Sequence, residues 1–137
     1  RLANEEKVRS ENEKVQMGID INRYLAIINA NSHFDHDKAI LKLNNESERA
    51  LDTLVTIIKD KPEVQLLIIG HTNDLGKDEY NMKLGQKRAD AMKTELVKRS
   101  ISESQLTTSS KGETEPLVPN TSESNRAKNI RIEIKVK

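Results

Sequence analysis

Apolar positions in this chain follow two different periods. Near the C-terminus, Ile130, Ile132, Ile134 and Val136 alternate with Arg131, Glu133 and Lys135. A period of two sends alternate side chains to opposite faces of a strand, so one face is predicted to be buried. Further upstream the period becomes helical. Ala50, Leu51, Leu54, Val55 and Ile58 fall on one stripe, with Asn45 and Glu48 as a capping box in front and Pro62 behind. Leu84, Ala89, Met92, Leu96 and Val97 form the apolar face of a second helix, from Glu79 to Lys98. The run from Val64 to Ile69, closed by Gly70, reads as a short buried strand. Gln105 to Ser109 reads as another short strand. The segment Lys111 to Asn125, with Gly112, Pro116 and Pro119, reads as a loop.

Residues 1–18 are polar and favour helix, with Val8 and Val15 one heptad apart. They are expected to form a helical linker or spacer, leaving 19–137 as the domain. The start at Arg1 reads as a cut from a longer protein. Ile19 to Ile28 is richer in apolar residues and either ends the leading helix or begins the first strand, with a strand from Tyr24 to Ile28 the favoured reading. The resulting order, β-α-β-α-β-β, predicts an α/β (α+β) fold. Its architecture would be a two-layer sandwich, a mixed sheet with helices on one side.

Composition narrows the function classes. Charged residues make up 33% of the chain and leave a net charge of +1, so a phosphate-neutralising basic surface is not expected. Aromatics are 2%, too few for a base-stacking platform. There is no cysteine, which excludes disulfides, thiol nucleophiles and cysteine zinc sites. No apolar run approaches the roughly 18 residues a membrane helix needs. The histidines are His33, His36 and His71, and none has the spacing of a helical metal-ligand pair. No Gly-x-Ser-x-Gly elbow occurs. Neither a catalytic residue nor a cofactor is expected.

Four blocks, in order, resemble the OmpA-like domain family. The family pattern runs Thr-Asp, ten residues, Leu-Ser, two residues, Arg-Ala, two residues, Val, three residues, Leu. Here the matching positions are Thr72, Asn73, Leu84, Gly85, Arg88, Ala89, Met92 and Leu96. Every spacing is kept, while Asn73 replaces Asp, Gly85 replaces Ser and Met92 replaces Val. Phe34-Asp35-His36-Asp37-Lys38-Ala39 resembles the family's segment after its first strand. Gly112-Glu113, Pro116 and Asn120 resemble its Gly-Glu-x-x-Pro loop. Asn125 to Ile134 resembles Gly-Arg-Ala-x-Asn-Arg-Arg-Val-Glu-Ile, with Asn125 for Gly and Ile130 for the first Arg of the pair.

The resemblance implies a non-catalytic domain that grips the diamino acid of peptidoglycan stem peptides, usually diaminopimelate. It implies a periplasmic setting, with attachment to the outer membrane or another envelope component through an upstream region, and envelope proteins as further partners. The far end of diaminopimelate carries an ammonium and a carboxylate, so a receptor wants a carboxylate and a guanidinium close together. By resemblance the guanidinium is Arg88, whose planar fork suits a carboxylate. The matching anionic position is 73, with Thr72, Asn81, Leu84 and Arg131 as further pocket candidates.

Asn73 keeps a carbonyl acceptor but loses the charge. A neutral bond to an ammonium in place of a charge-assisted one loses roughly 1–2 kcal/mol, about five- to thirty-fold in affinity. Asp37 or Asp74 is expected to supply the missing carboxylate. The alternative is an OmpA-like scaffold that has lost or weakened this ligand and serves as a protein-docking module.

Overall fold

A computed structural model describes residues 2–137, with side chains described from Asn4 onward. The element order is α1 (Leu2–Ala30), β1 (Ser32–His33), β2 (Lys42–Leu43), α2 (Asn45–Ile58), β3 (Leu66–His71), α3 (Asp78–Lys98), a 3₁₀ turn (Glu103–Gln105), β4 (Leu106–Gly112), α4 (Glu123–Asn129) and β5 (Arg131–Val136).

The largest departure from the sequence reading is at the start. Tyr24 to Ile28 is not a strand: α1 runs unbroken to Ala30. Ile21, Leu25 and Ile28 are spaced four and three apart, one helical stripe, and all three are buried against α2 and β5. Burial of that stripe outweighs the strand preference of the isoleucines. The helix stops where Asn31 and Ser32 turn their side chains back onto the Ile27 and Ile28 carbonyls. The first strand is the two-residue β1, paired antiparallel with β2.

The cap of α2 lies one residue earlier than the sequence implied. Asn44, not Asn45, accepts from the Ser47 amide, and Ser47 Oγ accepts from the Asn44 amide at 2.9 Å. The helical segment α4 falls where the sequence reading ran from loop directly to strand. Ser122 caps it by accepting from Asn125 N. Its last residue, Asn129, is fully buried and ties the preceding loop, accepting from Leu117 N and Val118 N and donating to Val118 O and Asn120 Oδ1.

β3 is the centre of a mixed three-stranded sheet, parallel to β4 and antiparallel to β5. Alternation in β5 holds at its centre, with Ile132 and Ile134 buried, while Ile130 is the half-buried C-cap of α4 and Val136 is exposed at the strand's end. Ile132 and Ile134 join Leu66 and Ile68 of β3, Leu51, Leu54 and Ile58 of α2, and Met92 and Leu96 of α3 in one core. The sheet and α3 approach most closely at two glycines. A Cβ on Gly70 would lie 1.7 Å from the Gly85 carbonyl oxygen, and one on Gly85 would lie 2.2 Å from Ser110 Oγ. Contact this close explains why position 85 holds glycine where the family pattern has serine. It also sets the depth at which the next turn of α3, carrying Arg88, sits against the sheet.

Candidate functional site

The site forms where β3 ends and α3 begins. The loop between them is organised by its own polar groups. Thr72 N donates to Gly112 O, and Leu75 N donates to Asn73 Oδ1 at 3.0 Å. Asn81, buried on the first turns of α3, donates its side-chain amide to Leu75 O and to Glu113 Oε1. Asn81 therefore holds the loop shape as well as facing the site.

Arg88 is 1% exposed, not a surface charge. Its Nε donates to Lys38 O at 2.9 Å, Nη1 to His71 O at 3.0 Å and Nη2 to Asp35 O at 3.2 Å. Its guanidinium carbon lies 5.4 Å from the centre of the Phe34 ring. Among the described residues no carboxylate pairs with it. Burial pulls its pKa down to about 10, and the negative charge of Asp37 opposes that shift. A guanidinium has five N–H groups, so two remain beyond the three bonds. A buried cation bonded only to neutral carbonyls is an unfinished electrostatic arrangement, because buried charges are normally paired.

A cavity of about 150 Å³ opens above this group. Of the candidates, it brings together Asp37, Thr72, Asn73, Asn81, Leu84 and Arg88. Two candidates lie elsewhere. Asp74 is outside the cavity and pairs with Arg126 of α4 at 3.2 Å. Arg131 is also outside, donating to the carbonyls of Asn129 and Glu115 and so bracing the loop before α4. Burial lowers its pKa, with Glu133 and Glu115 opposing the shift. A larger open groove of about 590 Å³ between α1 and the end of α2 contains none of the candidates.

The cavity also has walls that the sequence reading did not single out: His36, Leu75, Gly76, Tyr80 and Ile130. A signal for Tyr80 existed in composition. The chain has only three aromatic residues. Phe34 lies beside Arg88, and Tyr80 lines the cavity with its hydroxyl donating to Asp37.

Asn73 is 4% exposed, and its amide orientation is fixed by chemistry. Leu75 N–H can only donate, so the oxygen must face it, and Nδ2 then lies 3.3 Å from His36 Nδ1. His36 Nδ1 therefore accepts. One of the two lone pairs that asparagine was expected to offer a ligand is thus already engaged within the loop.

This pocket sits inside a matched family segment: the OmpA family model covers residues 33–130. The chain belongs to the OmpA family. It is 37% identical over 103 residues to outer membrane porin F of Pseudomonas fluorescens, covering 75% of this chain and 31% of that protein. It is 36% identical over 103 residues to the peptidoglycan-associated lipoprotein of Pseudomonas aeruginosa, covering 75% of this chain and 60% of the relative. The chain thus spans less than two thirds of either relative's length. Among solved structures, the peptidoglycan-associated lipoprotein of Burkholderia pseudomallei superposes with a TM-score of 0.70 at 28% identity, covering 77% of this chain and 88% of that one. The C-terminal domain of Helicobacter pylori MotB gives 0.60 at 29% identity, covering 74% and 80%. The OmpA-like α+β architecture expected from the four sequence blocks is the one observed.

Proposed function

We propose that this OmpA-family domain binds the diamino-acid end of peptidoglycan stem peptides without catalysis, anchoring an envelope protein of a Gram-negative-type bacterium to the cell wall. The observation that carries the reading is Arg88: a buried guanidinium without a carboxylate partner among the described residues, with two N–H groups to spare, at the base of a cavity large enough for an amino-acid head group. A ligand carboxylate there completes the charge balance through charge-assisted bonds. Two of the relatives are named as peptidoglycan-associated lipoproteins, which supports the same ligand class.

Diaminopimelate fits because it adds an ammonium beside its carboxylate. Asp37 is the one carboxylate among the cavity's lining residues. It is the anionic half of the clamp, and Asp74 is not, being outside the cavity and paired with Arg126. Residues 4–16 of α1 are exposed throughout and serve as a spacer between the domain and an upstream membrane attachment. At a rise of about 1.5 Å per residue, the whole of α1 spans roughly 43 Å.

Co-sedimentation with purified sacculi tests the reading. The chain is expected in the pellet at low salt, and Asp37→Asn is expected to shift it towards the supernatant. Wild-type protein that stays in the supernatant would instead support the protein-docking alternative, in which the scaffold persists without the ligand.

A further inference from the structure

Position 73 cannot supply the acidic half of a zwitterion clamp here. Its side chain is uncharged, and its oxygen is engaged by Leu75 N–H. On the other side of the cavity, Tyr80 on the first turn of α3 donates its hydroxyl to Asp37 Oδ1. Nothing else in the bonding of Tyr80 explains its place: it is half exposed and is absent from the hydrophobic core.

The segment that presents Asp37 is held in an unusual shape. Asp37 has φ of 63°, in the left-handed region sparsely occupied by residues other than glycine. Such a conformation persists where surrounding bonds over-determine it. Three are present: Lys38 N donates to Asp35 O, and Arg88 donates to both Asp35 O and Lys38 O. These bonds fix the backbone only. Asp37 itself is exposed, and its carboxylate is oriented by Tyr80. One helix therefore aims both charges, the cation directly as Arg88 and the anion through Tyr80.

We infer that Tyr80 is a positioning residue for ligand selectivity: by holding the Asp37 carboxylate over the Arg88 cavity, it makes the site read the ligand's ammonium, the role that an acidic residue at position 73 would otherwise fill. The inference rests on the stem-binding reading above. Burial of the Tyr80–Asp37 contact is slight, so its effect is on orientation and not on folding. The Tyr80 hydroxyl is held above its ordinary pKa chiefly by the bond to Asp37.

The test compares two synthetic tripeptides by isothermal titration. One is L-Ala-γ-D-Glu-diaminopimelate. The other ends in 2-aminopimelate joined through its single amino group, so its free end keeps the carboxylate but lacks the ammonium. Wild type is expected to prefer the diaminopimelate peptide by about tenfold, the worth of one charge-assisted bond. Asp37→Asn should bring the ratio to about one, and Tyr80→Phe to about threefold or less, with affinity for the 2-aminopimelate peptide unchanged in the latter. A merely structural role for Tyr80 would weaken both peptides alike. Wild type that prefers diaminopimelate while Tyr80→Phe keeps the full preference overturns this inference and leaves stem binding standing. Wild type that binds both peptides equally also overturns it alone. Wild type that binds neither peptide overturns the stem-binding reading and this inference with it.

Discussion

Replacing Arg88 by alanine separates its two roles, as a brace for the site and as a receptor for an anion. In the free protein the side chain satisfies three carbonyls. The bond to His71 O is buried, so its loss leaves an acceptor without water, a cost of roughly 1–3 kcal/mol. Asp35 and Lys38 lie on an exposed segment whose carbonyls regain water, for a loss of about 1 kcal/mol each. The contact with the Phe34 ring adds about 1 kcal/mol. Against these stands relief from burying a charge. Burial lowers its pKa from the ordinary guanidinium range to about 10, a penalty on the order of 3 kcal/mol. The packing of a fully buried long side chain is lost as well, leaving a net destabilisation of roughly 2–4 kcal/mol. For a chain of this size that lowers Tm by about 8–15 °C. Thermal unfolding followed by circular dichroism reads it directly. The diaminopimelate tripeptide should raise Tm of wild type and leave Tm of Arg88→Ala unmoved, since a ligand stabilises only the state that binds it. An Arg88→Ala variant within about 3 °C of wild type would refute the claim that this buried cation organises the site.

Two further outcomes follow from the fold. Gly70→Ala places a Cβ 1.7 Å from a backbone oxygen of α3, which cannot rotate away, and should cost at least about 3 kcal/mol in denaturant unfolding. Gly85→Ser, which restores the family residue, should cost a smaller 1–3 kcal/mol, roughly, because Ser110 Oγ can move while Gly70 O at 2.8 Å cannot. His71 gives a pH dependence: burial lowers its pKa below 6.5, followed by the charge of Arg131, while Glu133 opposes the shift, and Nδ1 has no hydrogen-bond partner among the described residues. The unfolded chain therefore takes up the proton first, so this contribution to stability is present above pH 6.5 and is lost as pH falls below that value towards the lowered folded pKa. Urea unfolding between pH 7.5 and 5, roughly, should show stability falling with pH in wild type and a flatter dependence in His71→Gln; equal slopes would contradict it.

Much of the fold was legible because it rests on long periodic segments. The stripe of α2, the stripe of α3 except Val97 and the alternation in β5 except Val136 bury the face their period marks. The first helix was misread in its second half because isoleucine-rich stretches suit both strand and helix. What decides the matter is the stripe Ile21, Leu25 and Ile28, which becomes meaningful only once α2 and β5 are there to cover it. The segment α4 was hidden by its length and polarity, since a seven-residue helix with charged and amide side chains has no apolar stripe to announce it.

At the site, motif spacing located Arg88 but not its environment. Its burial depends on Gly70 and Gly85 letting α3 come close to the sheet, a property of two distant glycines acting together. Asp37 and Asp74 were equivalent as sequence, and tertiary pairing with Arg126 is what separates them. Asn73 was expected to offer its carbonyl to a ligand, and a backbone amide two residues on already takes one of its two lone pairs. Tyr80 was invisible to charge-based reasoning because its role is exerted through another residue's carboxylate.

The most direct test of the central claim is a titration of the isotope-labelled chain with the diaminopimelate tripeptide, followed through backbone amide shifts. Stem binding predicts saturable changes confined to residues 35–38, 72–76 and 80–88, together with a shift of the Arg88 Nε–H signal as the ligand carboxylate arrives. Saturable changes centred on the groove between α1 and α2, or no saturable change at millimolar peptide, would contradict it.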